Sequence, residues 1–218
     1  MKIAIVGAGR VGSSLGARWN AEGHDVIYGV RDPSDPRYAE LGGTATPADA
    51  VLDADVVLVA LPWDAVEEVL SGIDLSDAVV IDATNALAAN SRELVGNPDL
   101  SGAQLIAQWG RSRRVIKAFN STGAGNMANP TYSGGTPVML FAGDDATAKS
   151  VVSSLATEIG FDAVDAGTLA AARDLEHLAM IWIRRLLPRA GPRHRPGAVA
   201  AMIFMARSLR RVMRFDRR

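Results

Sequence analysis

The most restrictive feature of the sequence is an apolar run near its N-terminus that meets three glycines. KIAIV, at residues 2–6, leads directly into GAGRVG, which places glycine at positions 7, 9 and 12. Apolar side chains then recur at helical spacing over residues 11–22, and Gly23 closes this stretch. A buried strand that turns through glycines into a helix predicts the start of a parallel strand–helix–strand unit, because glycine permits a tight turn and close packing.

The same alternation continues along the chain. Further strands are predicted at residues 25–29, 55–61, 78–82, 114–119, 137–142 and 161–166. Helices are predicted at residues 46–54, 62–70, 101–109, 144–159 and 168–187. Apolar strands that alternate with helices indicate a mostly parallel sheet covered on both faces. We therefore predict an α/β, doubly wound fold of the Rossmann type over residues 1–166, with a small C-terminal helical part at 167–187.

The glycine pattern predicts a dinucleotide site, because it lies between a strand and a helix. Gly7 would permit the turn, Gly9 would let a pyrophosphate approach the main chain, and Gly12 would let the helix pack closely. The helix N-terminus would add free N–H groups and the positive end of its dipole. The predicted pyrophosphate-binding residues are Gly7, Ala8, Gly9, Arg10, Val11 and Gly12.

The end of the second strand predicts which nucleotide binds. It reads YGVRDP, so that Val30 and Arg31 follow the predicted strand and Asp32 comes next. An acid at this place usually bonds the ribose hydroxyl of NAD, whereas Arg accommodates the 2′-phosphate of NADP. The sequence favours NADP(H), because Arg31 comes first. The alternative is a solvated Arg31, with Asp32 on the ribose.

Other strand ends should meet at the same edge, because ligands of such sheets bind beyond the carboxyl ends of the strands. The residues expected under the adenosine and ribose are Leu61, Pro62 and Trp63. The residues expected beside the nicotinamide are Thr84, Asn85, Asn120 and Thr122. Asn120 and Thr122 are candidates for positioning the reacting groups, although each Asn could instead be a turn former.

Several chemistries are excluded or disfavoured. The chain has no cysteine, which excludes disulfides and a cysteine nucleophile, and its three histidines are scattered, so no metal site is predicted. Lys117 is expected to be structural and to lie on a strand edge. No acid–base pair is evident, which argues against a hydroxyacid dehydrogenase. Hydride transfer between two cofactors remains open, because the cofactors carry that chemistry.

The location and partners follow from what the sequence lacks. No signal-peptide pattern is present, and no uncharged apolar run approaches the ~20 residues of a membrane span. The first 183 residues hold 12 basic and 23 acidic groups, which argues against nucleic-acid binding. We therefore expect a cytoplasmic protein with neither membrane nor nucleic acid as a partner.

Seven segments, taken in order, resemble one family. They are GAGRVG, GVRDP, VALPWDAV, IDATN, VIKAFNSTG, FAGDD and VDAGTLAAARDLEHLAMIWI. Over about residues 1–183 the chain resembles the NADP oxidoreductases that depend on the deazaflavin coenzyme F420, and their bacterial relatives. Membrane ferric reductases with a similar cytosolic domain are more distant relatives.

The resemblance implies an activity and an assembly. The activity is hydride exchange between NADPH and the deazaflavin, and the assembly is a homodimer. Pyrophosphate binding would fall to the glycine loop and 2′-phosphate binding to Arg31, while Asn120 and Thr122, with Trp63 nearby, would border the deazaflavin. The alternatives are a flavin acceptor, a small carbonyl or imine substrate, or a sensor that binds NADP(H) without catalysis.

The C-terminal segment is of a different composition. From Arg184 to Arg218 the chain holds 11 Arg and one acid, although the whole chain has a net charge of −1. Residues 188–218 therefore form a basic tail, for which three alternatives stand. In the first, the tail is an amphipathic helix that docks on the acidic body or on a partner chain. In the second, the tail binds an anionic membrane surface or nucleic acid. In the third, the tail is the product of a shifted reading frame. We favour the last, because the family resemblance ends where the composition changes, and resequencing the gene tests it.

Overall fold

The computed structural model describes residues 1–88, 93–95 and 99–186, without the side chains of Trp182, Arg185 and Leu186. In this part of the chain eight strands form one sheet in the order β3-β2-β1-β4-β5-β6-β7-β8. The strands are β1 Lys2–Val6, β2 Asp25–Gly29, β3 Thr44–Ala45, β4 Val56–Val59, β5 Val79–Asp82, β6 Val115–Lys117, β7 Val138–Gly143 and β8 Asp162–Asp165. The basic tail lies outside the described residues.

Within the described residues, seven α-helices connect or cover the strands. They are α1 Arg10–Ala21, α2 Pro47–Ala50, α3 Trp63–Ser71, α4 Gly102–Trp109, α5 Ala124–Ala128, α6 Ala146–Glu158 and α7 Ala172–Leu186, with 3-10 turns at Pro36–Tyr38 and Leu169–Ala171. None of the helices in the described part of the chain is long and apolar enough to cross a membrane.

The strand order confirms the predicted doubly wound Rossmann fold. The strands from β3 through β1 to β6 all pair in parallel. The strand order reverses between β1 and β4, which is the place where such folds bind dinucleotides. β7 runs antiparallel to β6, with Ile116 opposite Gly143, and β8 then pairs in parallel with β7. The sheet is therefore mostly parallel.

The two faces of the sheet carry separate apolar layers. On one face, α1 and α6 contribute buried side chains such as Leu15, Trp19 and Leu155. On the other face, α3 and α4 contribute Leu70 and Ile106, among others. Because both faces are covered, the strands are apolar throughout and not alternating, which is the pattern that revealed them in the sequence.

Several predicted elements are shorter than the sequence indicated, two of them because of a turn, and two further elements were missed. The helix predicted at 46–54 ends at Ala50, and the chain turns at Asp53, whose φ is +58°. The strand predicted at 114–119 ends at Lys117, before Phe119 at φ +59°. The two-residue β3 and the five-residue α5 were missed, because elements so short carry no periodic pattern.

The C-terminal helix packs on its own sheet. The helix predicted at 168–187 begins with the 3-10 turn and continues as α7. Ala172, Leu175 and Ala179 are buried within the chain, whereas Ile181 on the same helix is 65% exposed. These three apolar side chains of α7 are thus covered by the chain itself.

Candidate functional site

The glycine loop has the shape that a dinucleotide site needs. Gly7 has φ +109°, and a Cβ there would lie 2.6 Å from the main-chain oxygen of Ala60. A Cβ on Gly12 would overlap the main-chain oxygen of Gly7. Both positions therefore require glycine, the first for the turn and the second for the close approach of α1 to the loop.

Gly9 is different, because the space beside it is open. A Cβ there would meet nothing within 4 Å, although Gly9 is the N-cap of α1 and has ordinary backbone angles. No side chain caps α1, so its first N–H groups face the same space. An open place at an uncapped helix N-terminus fits a pyrophosphate, which such N–H groups and the helix dipole stabilise.

The two charged residues after β2 are in different states. The Oδ1 of Asp32 accepts bonds from the main-chain N–H of Ser34 at 3.0 Å and from its hydroxyl at 2.6 Å. These bonds hold the pKa of the Asp32 carboxyl below its ordinary value. Arg31 is exposed and has no hydrogen-bond or ion-pair partner within the described part of the chain. Arg31 is therefore available to a phosphate, while one oxygen of Asp32 is occupied by Ser34.

The segment after β4 faces a neighbouring helix. The ring of Trp63 lies 5.5 Å from that of Trp109, centroid to centroid, and 3.0 Å from the place where a Cβ on Gly102 would stand. Leu61 is half-buried, and Pro62 precedes α3 as its N-cap. The indole of Trp63 thus packs on α4, and the contact with adenosine or deazaflavin expected of this segment stays a prediction.

The two asparagines expected beside the nicotinamide bond each other. The Nδ2 of Asn120 donates to the Oδ1 of Asn85 at 3.0 Å, and the Nδ2 of Asn85 donates to the main-chain oxygen of Asn120 at 3.0 Å. Asn120 also donates to the main-chain oxygen of Leu175 on α7, at 3.0 Å. The structure therefore brings the two predicted residues together, and it ties both to the C-terminal helix.

Asn120 retains one unused acceptor. Its side chain is 4% exposed, and its Oδ1 has no hydrogen-bond partner among the described residues. Nearby, Thr122 is buried, and its hydroxyl oxygen accepts a bond from Asn126 at 3.0 Å. Thr84 is buried as well, and its hydroxyl donates to Asp82 at 2.7 Å. Among the four side chains predicted beside the nicotinamide, which we call the nicotinamide-side wall, Asn85 and Asn120 bond each other, whereas Thr84 and Thr122 bond residues outside this set.

The turn that presents Asn120 is strained. Phe119 has a φ of +59°, in the left-handed region that bulky residues avoid, and it immediately precedes Asn120. Its ring is buried against Trp19 and Phe161, in edge-on contacts at 5.8 and 6.3 Å. The aromatic packing holds Phe119 in place, and the chain turns sharply where β6 would otherwise continue.

A buried lysine lies beneath this wall, and the expectation of a strand-edge position was wrong. Lys117 ends β6, which lies between β5 and β7, and its side chain is 0% exposed. Its Nζ donates to the Oδ2 of Asp82 at 2.8 Å and to the main-chain oxygen of Thr84 at 2.7 Å, and it lies 3.2 Å from the Oε1 of Glu176. Carboxylates satisfy the ammonium from two sides, as a buried charge requires.

Glu176 links this lysine to a second helix. Its Oε1 accepts a bond from the main-chain N–H of Gly102, the first residue of α4, at 2.9 Å. Burial raises the pKa of the Glu176 carboxyl, although Lys117 opposes the rise. Asp82, Lys117 and Glu176, which we call the buried triad, therefore join the ends of β5 and β6 to α4 and α7.

Sequence reasoning did not single out the buried triad, although a signal was present. Asp82 and Lys117 each end a run that is otherwise apolar, VVID and VIK. Charged residues are seldom fully buried unless they are paired, so opposite charges at the ends of two predicted neighbouring strands indicate an ion pair. Glu176 carried no comparable signal, because only the packing of α7 places it there.

Comparison with known proteins finds a family of redox enzymes whose model matches the N-terminal part of the chain. Residues 2–86 match the family described as NADP oxidoreductase, coenzyme F420-dependent, which confirms the resemblance for that segment. A candidate F420-dependent NADP reductase from Arthrobacter sp. FB24 has a similar structure, with a TM-score of 0.72 and 27% identity, covering 84% of this chain and 92% of that chain.

Two further matches cover most of this chain but only part of the other protein. Metalloreductase STEAP3 of Rattus norvegicus is 29% identical over 190 residues, and the match covers 86% of this chain and 37% of that protein. An imine reductase from Aspergillus terreus, in complex with NADPH4, shares the fold with a TM-score of 0.61 and 18% identity, covering 83% of this chain and 60% of that one. The chain is therefore similar to proteins named as reductases, and it spans about a third of the length of the metalloreductase.

Proposed function

We propose that this chain binds NADP(H) and transfers a hydride between NADPH and a deazaflavin of the coenzyme F420 type, or a flavin. The observation that carries the proposal is the contrast after β2, where Arg31 has no partner within the described residues and Asp32 is held by Ser34. A free guanidinium beside a restrained carboxylate favours a phosphate over a ribose hydroxyl.

The residues present fit the dinucleotide. Gly9 and the N–H groups at the start of α1 would hold the pyrophosphate, because the space there is open and uncapped. Arg31 would hold the 2′-phosphate at the end of β2. With the adenosine half on that side, the nicotinamide half extends across the reversal of strand order toward the ends of β4, β5 and β6.

The part played by the protein is positioning. Bound NADPH supplies the hydride, so that the nicotinamide is oxidised and the acceptor takes up two electrons. The Asn85–Asn120 pair and the main chain around it would form a wall that orients the nicotinamide and keeps water away. The Oδ1 of Asn120, which lacks a partner among the described residues, would accept a bond from the carboxamide after a small rotation.

The comparisons favour an acceptor that is itself a cofactor. The Arthrobacter structure is covered over 92% of its length, whereas the imine reductase is covered over only 60% of its own. The similarity over nearly the full length of a candidate F420-dependent NADP reductase supports a deazaflavin acceptor. A deazaflavin or flavin needs only a flat surface beside the nicotinamide, since ring stacking supplies the geometry.

Titration of purified protein with NADPH and NADH tests cofactor binding. We expect tight NADPH binding, and Arg31→Ala should weaken NADPH far more than NADH. Arg113→Ala is the matched control, because Arg113 is exposed at the opposite edge of the sheet, just before β6. Equal losses for both nucleotides in Arg31→Ala would refute the assignment of the 2′-phosphate.

An assay of NADPH oxidation with separate acceptors tests the reaction. Coenzyme F420, a free flavin and a cyclic imine are supplied in parallel, and turnover is expected with the deazaflavin or the flavin. Turnover with the imine alone would favour the carbonyl or imine reductase. Tight NADPH binding without turnover on any acceptor would favour the sensor.

We also propose a homodimer in the cytoplasm. The exposed Ile181 lies on α7, between the buried Met180 and the half-buried Ile183, and it would offer an apolar contact to a second copy. Light scattering of the purified protein checks the mass, and Ile181→Glu should shift a dimer toward the monomer. A monomer at all concentrations would rule the dimer out.

A further inference from the structure

The buried ammonium of Lys117 is held by oxygens of three different residues. It is 0% exposed and contacts three oxygens, on Asp82, Thr84 and Glu176, within 3.2 Å. Buried ion pairs often contribute little to stability compared with well-packed apolar residues. An apolar residue in place of Lys117 would leave the main-chain oxygen of Thr84 without this donor. The lysine therefore fixes the position of that carbonyl.

That carbonyl belongs to the predicted nicotinamide-side wall. Thr84 immediately precedes Asn85, and its N–H and hydroxyl both bond the Oδ1 of Asp82, at 2.8 and 2.7 Å. Lys117 bonds the other oxygen of Asp82 and the carbonyl of Thr84. The main chain of Thr84 is thus held at both its N–H and its carbonyl, immediately before the asparagine that bonds Asn120.

The C-terminal helix reaches the same wall through two consecutive residues. The main-chain oxygen of Leu175 accepts a bond from Asn120, and the side chain of Glu176 lies against Lys117 and accepts a bond from the N–H of Gly102. α7 is therefore attached to the wall once through its main chain and once through the buried triad.

We propose that Lys117 is a positioning residue that sets the Asn85–Asn120 wall for the nicotinamide half of NADP(H), with Glu176 attaching the C-terminal helix to it. This inference rests on the proposed function, because it assigns the nicotinamide half to this wall. The adenosine half binds elsewhere, at the glycine loop and Arg31. Lys117 should therefore act on one half of the ligand and not on the other.

The two halves can be separated with a fragment that lacks nicotinamide. Binding of NADPH and of 2′,5′-ADP is measured by calorimetry for the wild type and for Lys117→Met. We expect Lys117→Met to lower the affinity for NADPH by roughly tenfold or more, since small displacements in a binding site have large effects on binding. The affinity for 2′,5′-ADP should stay within about twofold, because distant sites act nearly independently.

A second pair of variants covers the case in which Lys117→Met does not fold. Glu176→Ala removes the carboxylate from Lys117 and Gly102, whereas Glu176→Gln keeps an acceptor oxygen at the same place. Glu176→Ala should show the selective loss of NADPH binding, and Glu176→Gln should restore most of it. If Glu176 acted through packing alone, its substitution would change the affinities for 2′,5′-ADP and for NADPH by the same factor.

The matched control is Leu155→Ala, a core truncation in α6 on the opposite face of the sheet. It should lower stability and leave the ratio of the two affinities unchanged. Equal weakening of NADPH and 2′,5′-ADP, or unchanged NADPH binding in folded Lys117→Met and Glu176→Ala, would overturn the inference. A wild type that binds neither ligand would overturn the proposed function itself, and this inference with it.

Discussion

The hydroxyl of Ser34 lies 2.6 Å from the Oδ1 of Asp32, and the main-chain N–H of Ser34 donates to the same oxygen at 3.0 Å. The carboxylate that could bind a ribose hydroxyl is therefore restrained by its own loop. Arg31, one residue earlier, has no such restraint within the described residues. We therefore expect the cofactor preference at this strand end to depend on the loop as well as on the arginine.

Ser34→Ala should shift the cofactor preference toward NADH. The variant removes the shorter of the two bonds to Asp32, so the carboxylate gains freedom to approach a ribose hydroxyl and to repel a 2′-phosphate. We expect the ratio of NADPH to NADH affinity to fall by a few-fold, measured by titration. Ser150→Ala on α6, which removes a hydroxyl bonded only to its own helix, is the control. An unchanged ratio in Ser34→Ala would show that the restraint on Asp32 has no bearing on specificity.

Alanine substitutions at Gly9 and Gly12 should separate binding from folding. Gly12→Ala should lower the free energy of unfolding by about 1–3 kcal/mol, because its Cβ would overlap the oxygen of Gly7. Gly9→Ala should cost less than about 1 kcal/mol, the range for a helix N-cap, and yet weaken NADPH binding. Urea denaturation and NADPH titration check the pair. Unchanged binding in Gly9→Ala would place the pyrophosphate elsewhere.

The buried Glu176 should make stability depend on pH. Because burial raises the pKa of its carboxyl in the folded state, the folded protein binds a proton more tightly than the unfolded chain does. This contribution to stability is present at low pH and is lost as pH rises above the ordinary glutamate value of 4.5. Glu176→Gln should remove this loss, so that its stability relative to the wild type increases with pH.

Urea denaturation of both proteins at several pH values between about 4.5 and 8 tests this difference. The pKa values of Asp32 and Asp74 are lowered and produce an opposite trend in acid, but both residues are present in both proteins and cancel in the comparison. Glu67→Gln, at an exposed position of α3, is the control. A difference that does not vary with pH would show that Glu176 keeps an ordinary pKa.

Asn120→Ala should loosen the C-terminal helix. The variant leaves the oxygens of Asn85 and Leu175 without their donor, which costs about 1–3 kcal/mol for buried groups. Hydrogen exchange should increase at the α7 amides more than at β1. Asn126→Ala, which removes only the bond to Thr122, is the control. Equal exchange at α7 in both variants would contradict the attachment through Asn120.

Much of the fold was predictable because its signals are local. Strands buried on both faces are continuous apolar runs, and glycines and caps mark the ends of the helices between them. The capping box at Ser101 and Gln104, for example, begins α4 at the predicted place. The ends of β6 and α2 were not predictable, because Phe119 and Asp53 adopt left-handed angles that no propensity favours.

In the candidate site, too, the local features were predictable from the sequence and the long-range contacts were not. The roles of Gly7 and Gly12 followed from the motif, since a turn and a close approach depend on the chain within a few residues. The sequence also placed Asn85 and Asn120 at neighbouring strand ends. It did not show that they bond each other, because that contact joins residues 35 apart in the chain.

Taken alone, the sequence determined a doubly wound sheet and a glycine loop between its first strand and first helix, and it placed an arginine just after the second strand. The tertiary structure decided which charges are free and which are paired. Asp32 is restrained by Ser34, Lys117 is buried between Asp82 and Glu176, and the C-terminal helix is attached to the wall beside them. The physical reason is that burial and pairing depend on elements far apart in the chain, whereas periodicity and turns depend on neighbours.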